Sequence, residues 1–162
     1  MKISTKTGDF KMTDAISKRV FKDDPLIECL GTIDELQVSI MHAFNQINNL
    51  DIKSHLEFIV QQLFSFGENL IRDTKKINDQ SVQDIEERIE YYEKQLPEQK
   101  SFKLPGRTLE SVLIHIARTV ARRLERRVVT LGKTKELDPN IYAYINRLSD
   151  LLYIYARVVE EL

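Results

Sequence analysis

One cysteine, Cys29, serves the whole chain. A lone thiol excludes an intramolecular disulfide and a thiolate metal cluster, and it fits a reducing, cytoplasmic setting. Five glycines and four prolines are few for 162 residues, which argues against a turn-rich β-protein and for long helices. Neither sign of charge dominates: Lys plus Arg number 24 and Asp plus Glu 25, for a formal net charge of −1. The broad positive field of a general nucleic-acid binder is therefore missing, and any anion site must be local. No apolar run is long enough to span a bilayer, and the opening MKISTKTGDF lacks a signal-type apolar core. Neither nucleic acid nor membrane is expected as a partner. The histidines, His42, His55 and His115, form no metal-ligand grouping. The tripeptide GKT at 132–134 lacks the upstream glycine of a phosphate loop, since Arg127 stands in its place.

What the chain does have is helical periodicity. The length suits a single domain over 1–162, divided into a polar, aperiodic arm (1–24) and a helical bundle (25–162). Asp24-Pro25 is one start for the first helix and the Thr32/Glu35 pair another. Ile33, Leu36, Ile40, Phe44 and Ile47 make its buried stripe. Leu56, Ile59, Leu63, Phe66 and Leu70 mark a second helix. A third opens at Ser81, with Asp84 expected as its cap, and stops at Pro97. The fourth runs from about Thr108 to Leu131, with Gly132 expected as its left-handed terminator. Asp138-Pro139 begins the fifth. The fold expected is an all-α, up-and-down five-helix bundle.

The fourth helix carries the stretch ARTVARRLERR at 117–127. At about 3.6 residues per turn, Leu113, Ala117, Val120, Leu124, Val128 and Leu131 share one stripe. Arg118, Arg122 and Arg126 lie opposite, with Glu125 among them, and Arg123 and Arg127 flank the stripe. Two readings stay open here: a solvated face braced by Arg122 and Glu125, or an arginine clamp for a phosphate. The fifth helix is apolar nearly all round, with a second stripe of Asn146, Asp150, Tyr153 and Arg157. That stripe is either an internal polar network or the wall of a site.

Five segments in order, TKTGD at 5–9, GTIDEL at 31–36, FKLPG at 102–106, ARTVARRLER at 117–126 and NRLSD at 146–150, resemble the PduO-type ATP:cob(I)alamin adenosyltransferases. The resemblance implies a bundle that assembles as a homotrimer with sites between subunits. It implies transfer of the 5′-deoxyadenosyl group of ATP to cob(I)alamin with release of triphosphate, magnesium being carried on the ATP phosphates rather than by protein ligands. By that match Thr5, Lys6, Gly8, Asp9, Thr13, Lys22 and Asn146 contact the nucleotide. Arg122 and Glu125 hold it, Arg118 pairs with Asp34 across a subunit boundary, and Phe102 lines the corrinoid side. A cobalamin reductase or an adenosylcobalamin-dependent enzyme is the further partner implied.

The chain also departs from the pattern. The family arm reads TGDxGxTxL, whereas here its second glycine is Lys11 and its leucine Ala15; Gln37 and Arg107 replace an asparagine and a glycine. A side chain at a phosphate-loop glycine works against close backbone approach. The alternative is accordingly a catalytically impaired homologue that binds nucleotide or corrinoid as a carrier or regulator.

Overall fold

The computed structural model describes residues 4, 6–15, 18–72, 74–101 and 103–162. Among them a two-stranded antiparallel hairpin, β1 (Met12–Ala15) and β2 (Lys18–Phe21), precedes five helices: α1 (Pro25–Gln46), α2 (Leu50–Ile71), α3 (Asp79–Glu93), α4 (Leu109–Gly132) and α5 (Pro139–Glu161). The arm, expected to be a loop, pairs Thr13 with Val20 and Met12 with Phe21. α4 packs on α1 and α5, α3 on α5, and α1 on α2. One continuous core results, with Leu36, Leu63, Phe66, Ile114, Leu124, Leu148 and Tyr155 wholly buried. The hairpin packs mainly on itself, and Val20, although buried, is no part of that core.

Local chemistry sets the helix ends. Asp24 accepts from the Leu26 N–H at 2.9 Å ahead of Pro25, so α1 begins there. Thr32 lies inside the helix, donating to the Glu28 carbonyl at 2.6 Å. Asn78, not Asp84, caps α3 through a reciprocal box with Ser81; Asp84 instead accepts from Gln80 at 2.7 Å one turn in. Thr108 and Ser111 form the same box at α4. Gly132 is the last helical residue rather than a left-handed terminator, and Lys133 is the cap. The glycine is required for another reason: the Tyr142 hydroxyl occupies the space a β-carbon would need. Phe44 is only half-buried, with the Lys53 ammonium 4.8 Å from its ring centre. Cys29 is a buried thiol of the core, pushed up to about 11 chiefly by burial.

A polar cluster ties α3 to the start of α2. Arg88 forks onto Asp51 at 2.7 and 3.1 Å, and the Tyr92 hydroxyl donates to the same carboxylate. One turn on, His55 Nδ1 lies 2.6 Å from the Tyr155 hydroxyl. Hydrogen bonds from Arg88 and then Tyr92 hold Asp51 below the usual carboxylate range. Burial, reinforced by the Arg88 charge, lowers His55 to about 4.

Two outcomes are expected. Gly132→Ala drives a methyl group into Tyr142 and costs about 1–3 kcal/mol; denaturant unfolding measures it, and adding Tyr142→Phe recovers part of the loss. His55 stays neutral in the native state down to about pH 4, whereas in the unfolded chain it takes up its proton near pH 6.5. The unfolded state therefore binds more protons in that window, and stability drops as pH falls through it, by on the order of 3 kcal/mol. Thermal unfolding across this range shows the slope, and His55→Gln flattens it; an unchanged slope in the variant refutes the assignment.

Candidate functional site

The apolar stripe of α4 is buried along its whole length, from Leu113 through Ala117, Val120, Leu124 and Val128 to Leu131. That burial fixes where the arginines go. Arg123 and Arg127 fall on the edge facing α1 and pair with Glu35 and, at 3.2 Å, Glu28. Arg118 and Arg122 fall on the other edge and line an open groove of about 840 Å³ between α3, α4 and α5. Arg126 remains on the exposed outer face. The two edges thus serve different ends, one a brace between helices and the other a wall.

Of the expected site residues, Arg118 and Arg122 line the groove, and Glu125 and Asn146 stand behind Arg122. Arg122 Nη1 lies 2.5 Å from Glu125 Oε2, an ion contact outside hydrogen-bonding geometry; that oxygen is shut off from solvent and has no hydrogen-bond partner among the described residues. The other oxygen of Glu125 accepts from Asn146 Nδ2 at 3.2 Å. The Asn146 carbonyl in turn accepts from Arg147 at 2.8 Å, and Arg147 also pairs with Glu86 at 2.8 Å. α4, α5 and α3 are thereby linked in sequence through one polar chain. Both readings of the α5 stripe hold. Its members are partnered: Tyr153 donates to Gln99 at 2.7 Å, and Arg157 to the Pro97 carbonyl at 2.8 Å and to Glu161. Asp150, Tyr153 and Arg157 also line the groove.

Arg118 stands between two cavities. Beyond the groove it borders a smaller pocket of about 290 Å³ with His115, Lys103, Leu104 and Glu160. Its Nε donates to His115 Nδ1 at 3.2 Å, which requires an unprotonated Nδ1. Burial and then the Arg118 charge lower the His115 pKa accordingly. Burial works against the Glu160 carboxylate, but hydrogen bonds from Ser111 Oγ and the Arg107 N–H hold it below the usual range. Gly106 turns the chain here at φ +84°, and Val112 Cγ2 lies 2.5 Å from where its β-carbon would be. The Arg107 backbone has no positive φ, so the glycine this turn needs is the one retained. Phe102, the corrinoid-side candidate, lies outside the described residues, as does Thr5 of the arm.

The remaining arm candidates come together in the hairpin. Gly8 faces Lys22, whose Nζ lies 3.1 Å from where a β-carbon on Gly8 would stand. Lys22 N donates to the Lys11 carbonyl at 3.0 Å, closing the ribbon below the Met12–Phe21 pair. Lys6 and Lys11 take φ of +59° and +64°, a left-handed backbone that costs a non-glycine residue about 1 kcal/mol. Lys11 therefore reproduces the backbone turn that the glycine of the pattern permits. Asp9 is exposed and Thr13 half-buried in β1 beside Ala15. Gln37, the third departure, is buried and donates to the Val60 carbonyl at 3.1 Å, joining α1 to α2.

Asp34 sits elsewhere, exposed on a separate groove between α1 and α2 with Gln37, Phe64, Glu68 and Arg72. Within one chain it makes no ion pair with Arg118. The acidic run IEERIEYYEK at 85–94 is a largely solvated face that also supplies Glu86, Glu90 and Glu93 to the groove wall opposite the arginines. GKT at 132–134 is a helix end, with Thr134 donating to the Leu131 carbonyl at 3.2 Å.

Comparison with known proteins agrees in sequence and in shape. Residues 3–159 match the family described as cobalamin adenosyltransferase. A corrinoid adenosyltransferase of Bacillus subtilis is 41% identical over 167 residues, spanning 98% of this chain and 86% of its own. One from Citrobacter freundii is 34% identical and covers 98% and 95%. Among solved structures, an arginine-to-lysine variant of the PduO-type ATP:corrinoid adenosyltransferase of Lactobacillus reuteri, complexed with ATP, superposes with a TM-score of 0.91 at 34% identity, covering 97% of this chain and 93% of that one. A phenylalanine-to-histidine variant of the same enzyme, complexed with cobalamin and ATP, gives 0.90 at 33% identity, covering 98% and 90%. In sequence and in shape alike, the chain belongs to the cobalamin adenosyltransferase family.

Proposed function

We propose that the chain transfers the 5′-deoxyadenosyl group of ATP to cob(I)alamin, at sites shared between the subunits of a homotrimer. In this reaction the cobalt(I) electron pair forms the Co–C5′ bond. The C5′–O5′ bond breaks, and its electrons leave with triphosphate, so cobalt ends as cobalt(III). Cobalt(I) is itself the nucleophile, and no base on the protein is needed. The tasks left to the chain are aligning C5′ and neutralising the departing charge. The observation that carries the reading is the Arg122–Glu125–Asn146 linkage at the groove. It sets the half-exposed Arg122 guanidinium, held by Glu125 and through it by Asn146, at the groove, where it can meet a phosphate or ribose oxygen.

The arm accounts for the phosphates. Lys6, Gly8, Asp9, Thr13 and Lys22, together with Thr5, take the triphosphate from a neighbouring protomer; a hairpin that packs mainly on itself leaves them free to do so. Asp34 pairs with Arg118 of an adjacent copy, and the exposed Val38 and Phe64 on the same α1–α2 face support contact there. Phe102 faces the corrinoid together with Lys103 and Leu104. Magnesium rides on the ATP phosphates, since Mg²⁺ commonly keeps phosphate and water ligands. A cytoplasmic setting accords with the unpaired Cys29 thiol. Among the described residues no helix is long and apolar enough to cross a membrane. Cob(I)alamin has to come from a reductase, and the product passes to an adenosylcobalamin-dependent enzyme.

Mixing the protein with ATP, magnesium and chemically reduced cob(I)alamin should yield adenosylcobalamin and triphosphate, read by the corrinoid absorption spectrum. Tight binding of both substrates without turnover would instead establish the carrier reading. Arg122→Ala removes charge-assisted bonds worth roughly 1.5–3 kcal/mol and lowers kcat/KM for ATP about tenfold to hundredfold. Asp34→Ala strands its guanidinium partner at a cost of about 3 kcal/mol where the pair is buried, lowering both activity and the mass seen by light scattering. A wild-type protein with the mass of one chain overturns the shared-site assembly.

A further inference from the structure

Lys11 is strained, exposed and unpaired. Its backbone sits at φ +64°, where a side chain is disfavoured and glycine or asparagine is the ordinary occupant. Its ammonium makes no ion pair with any described residue, and the same holds for Lys6 and Lys22. The one close ion pair of the hairpin, Arg19 with Asp14 at 3.7 Å, engages none of these three lysines. They are nonetheless held near one another. The Lys11 carbonyl accepts from the Lys22 N–H at 3.0 Å, and Lys22 Nζ folds over Gly8 in the loop joining Lys6 to Lys11. Like charges gathered on one short ribbon repel unless an anion joins them. Strain that persists at a residue whose side chain makes no internal ion pair or hydrogen bond among the described residues points to a role outside the chain.

Building on the proposed adenosyl transfer, we infer that Lys11 is a third ammonium ligand for the triphosphate, acting beside Lys6 and Lys22 and strongest on the departing triphosphate itself. The turn at φ +64° keeps the course of the arm while adding a cation that glycine could not supply. Charge accumulates on the phosphate chain as C5′–O5′ breaks, so a cation here binds tripolyphosphate more tightly than it binds the phosphates of ATP. The consequence is stronger product inhibition at low salt.

The test uses the whole protein with Lys11→Arg, Lys11→Asn and Lys11→Gly, and inorganic tripolyphosphate as the probe, titrated by calorimetry at several salt concentrations beside ATP and adenosine. Asparagine tolerates the left-handed turn without the charge; arginine keeps the charge. Loss of one charge-assisted contact predicts a tripolyphosphate Kd about tenfold weaker for Lys11→Asn and Lys11→Gly, with a shallower salt dependence. Adenosine affinity should not change, and Lys11→Arg should stay within about twofold of the wild type. Equal tripolyphosphate affinity in Lys11→Asn and wild type overturns the proposal. So does a loss in Lys11→Arg as large as that in Lys11→Asn, which marks a merely structural role. Wild type that carries out the transfer normally while Lys11→Asn keeps its affinity sinks this inference alone. Wild type that binds neither ATP nor tripolyphosphate sinks the parent reading with it.

Discussion

Burial of one apolar stripe on α4 is the constraint from which the site follows. Because the stripe is covered on one side by α1 and on the other by α5, helical geometry leaves only two edges for the arginines. Residues on the first edge meet the acids of α1, and residues on the second meet the groove. Shifting the stripe by one residue would turn Arg122 toward α1 and break the Glu125–Asn146 bond. The packing that stabilises the bundle is therefore the same packing that aims the guanidinium groups.

Most of the bundle could be read from the sequence, because apolar periodicity and end chemistry act locally. Asp24-Pro25, Thr108 and Asp138-Pro139 start helices where their side chains cap the first turn. The misreadings share a cause. Asn78 rather than Asp84 caps α3, and Gly132 ends α4 without a left-handed turn, because cap preference says which residues suit an end and not where a neighbour will crowd. Tyr142 decides the role of Gly132, and Tyr142 belongs to the next helix. The hairpin escaped notice because its strands are four residues each and mostly polar, too short for an alternating pattern to stand out.

The site was legible in part, and the division is physical. Arg122, Glu125 and Asn146 come together because all three sit on helices whose phase the core fixes. Periodicity alone could not choose between brace and clamp for the arginines, and it had reason not to: α4 carries both, one on each edge. The acidic wall from α3 was harder to see. Its charges look like any solvated face until the tertiary arrangement sets Glu86 against Arg147. The departures from the family pattern also separate on structural grounds. Gln37 makes a satisfied core bond, and Arg107 replaces a glycine at a residue with no positive φ, so neither disturbs the backbone.

Taken alone, the protomer presents an unfinished set of charges. Asp34 and Arg118 lie on different grooves of the same chain, and the lysines of the arm have no carboxylate partners among the described residues. A stable fold normally avoids stranding charges wherever their burial would be costly, and here each unpaired group is still in water, at modest cost. The arrangement is consistent with a surface whose electrostatics close only when a second chain and an anion arrive together. On the proposed shared-site assembly each supplies counter-charges the other needs, so ATP favours the oligomer by the same factor by which the oligomer favours ATP. The packing divides the molecule accordingly, with one continuous core under α1–α5 and a hairpin that packs mainly on itself.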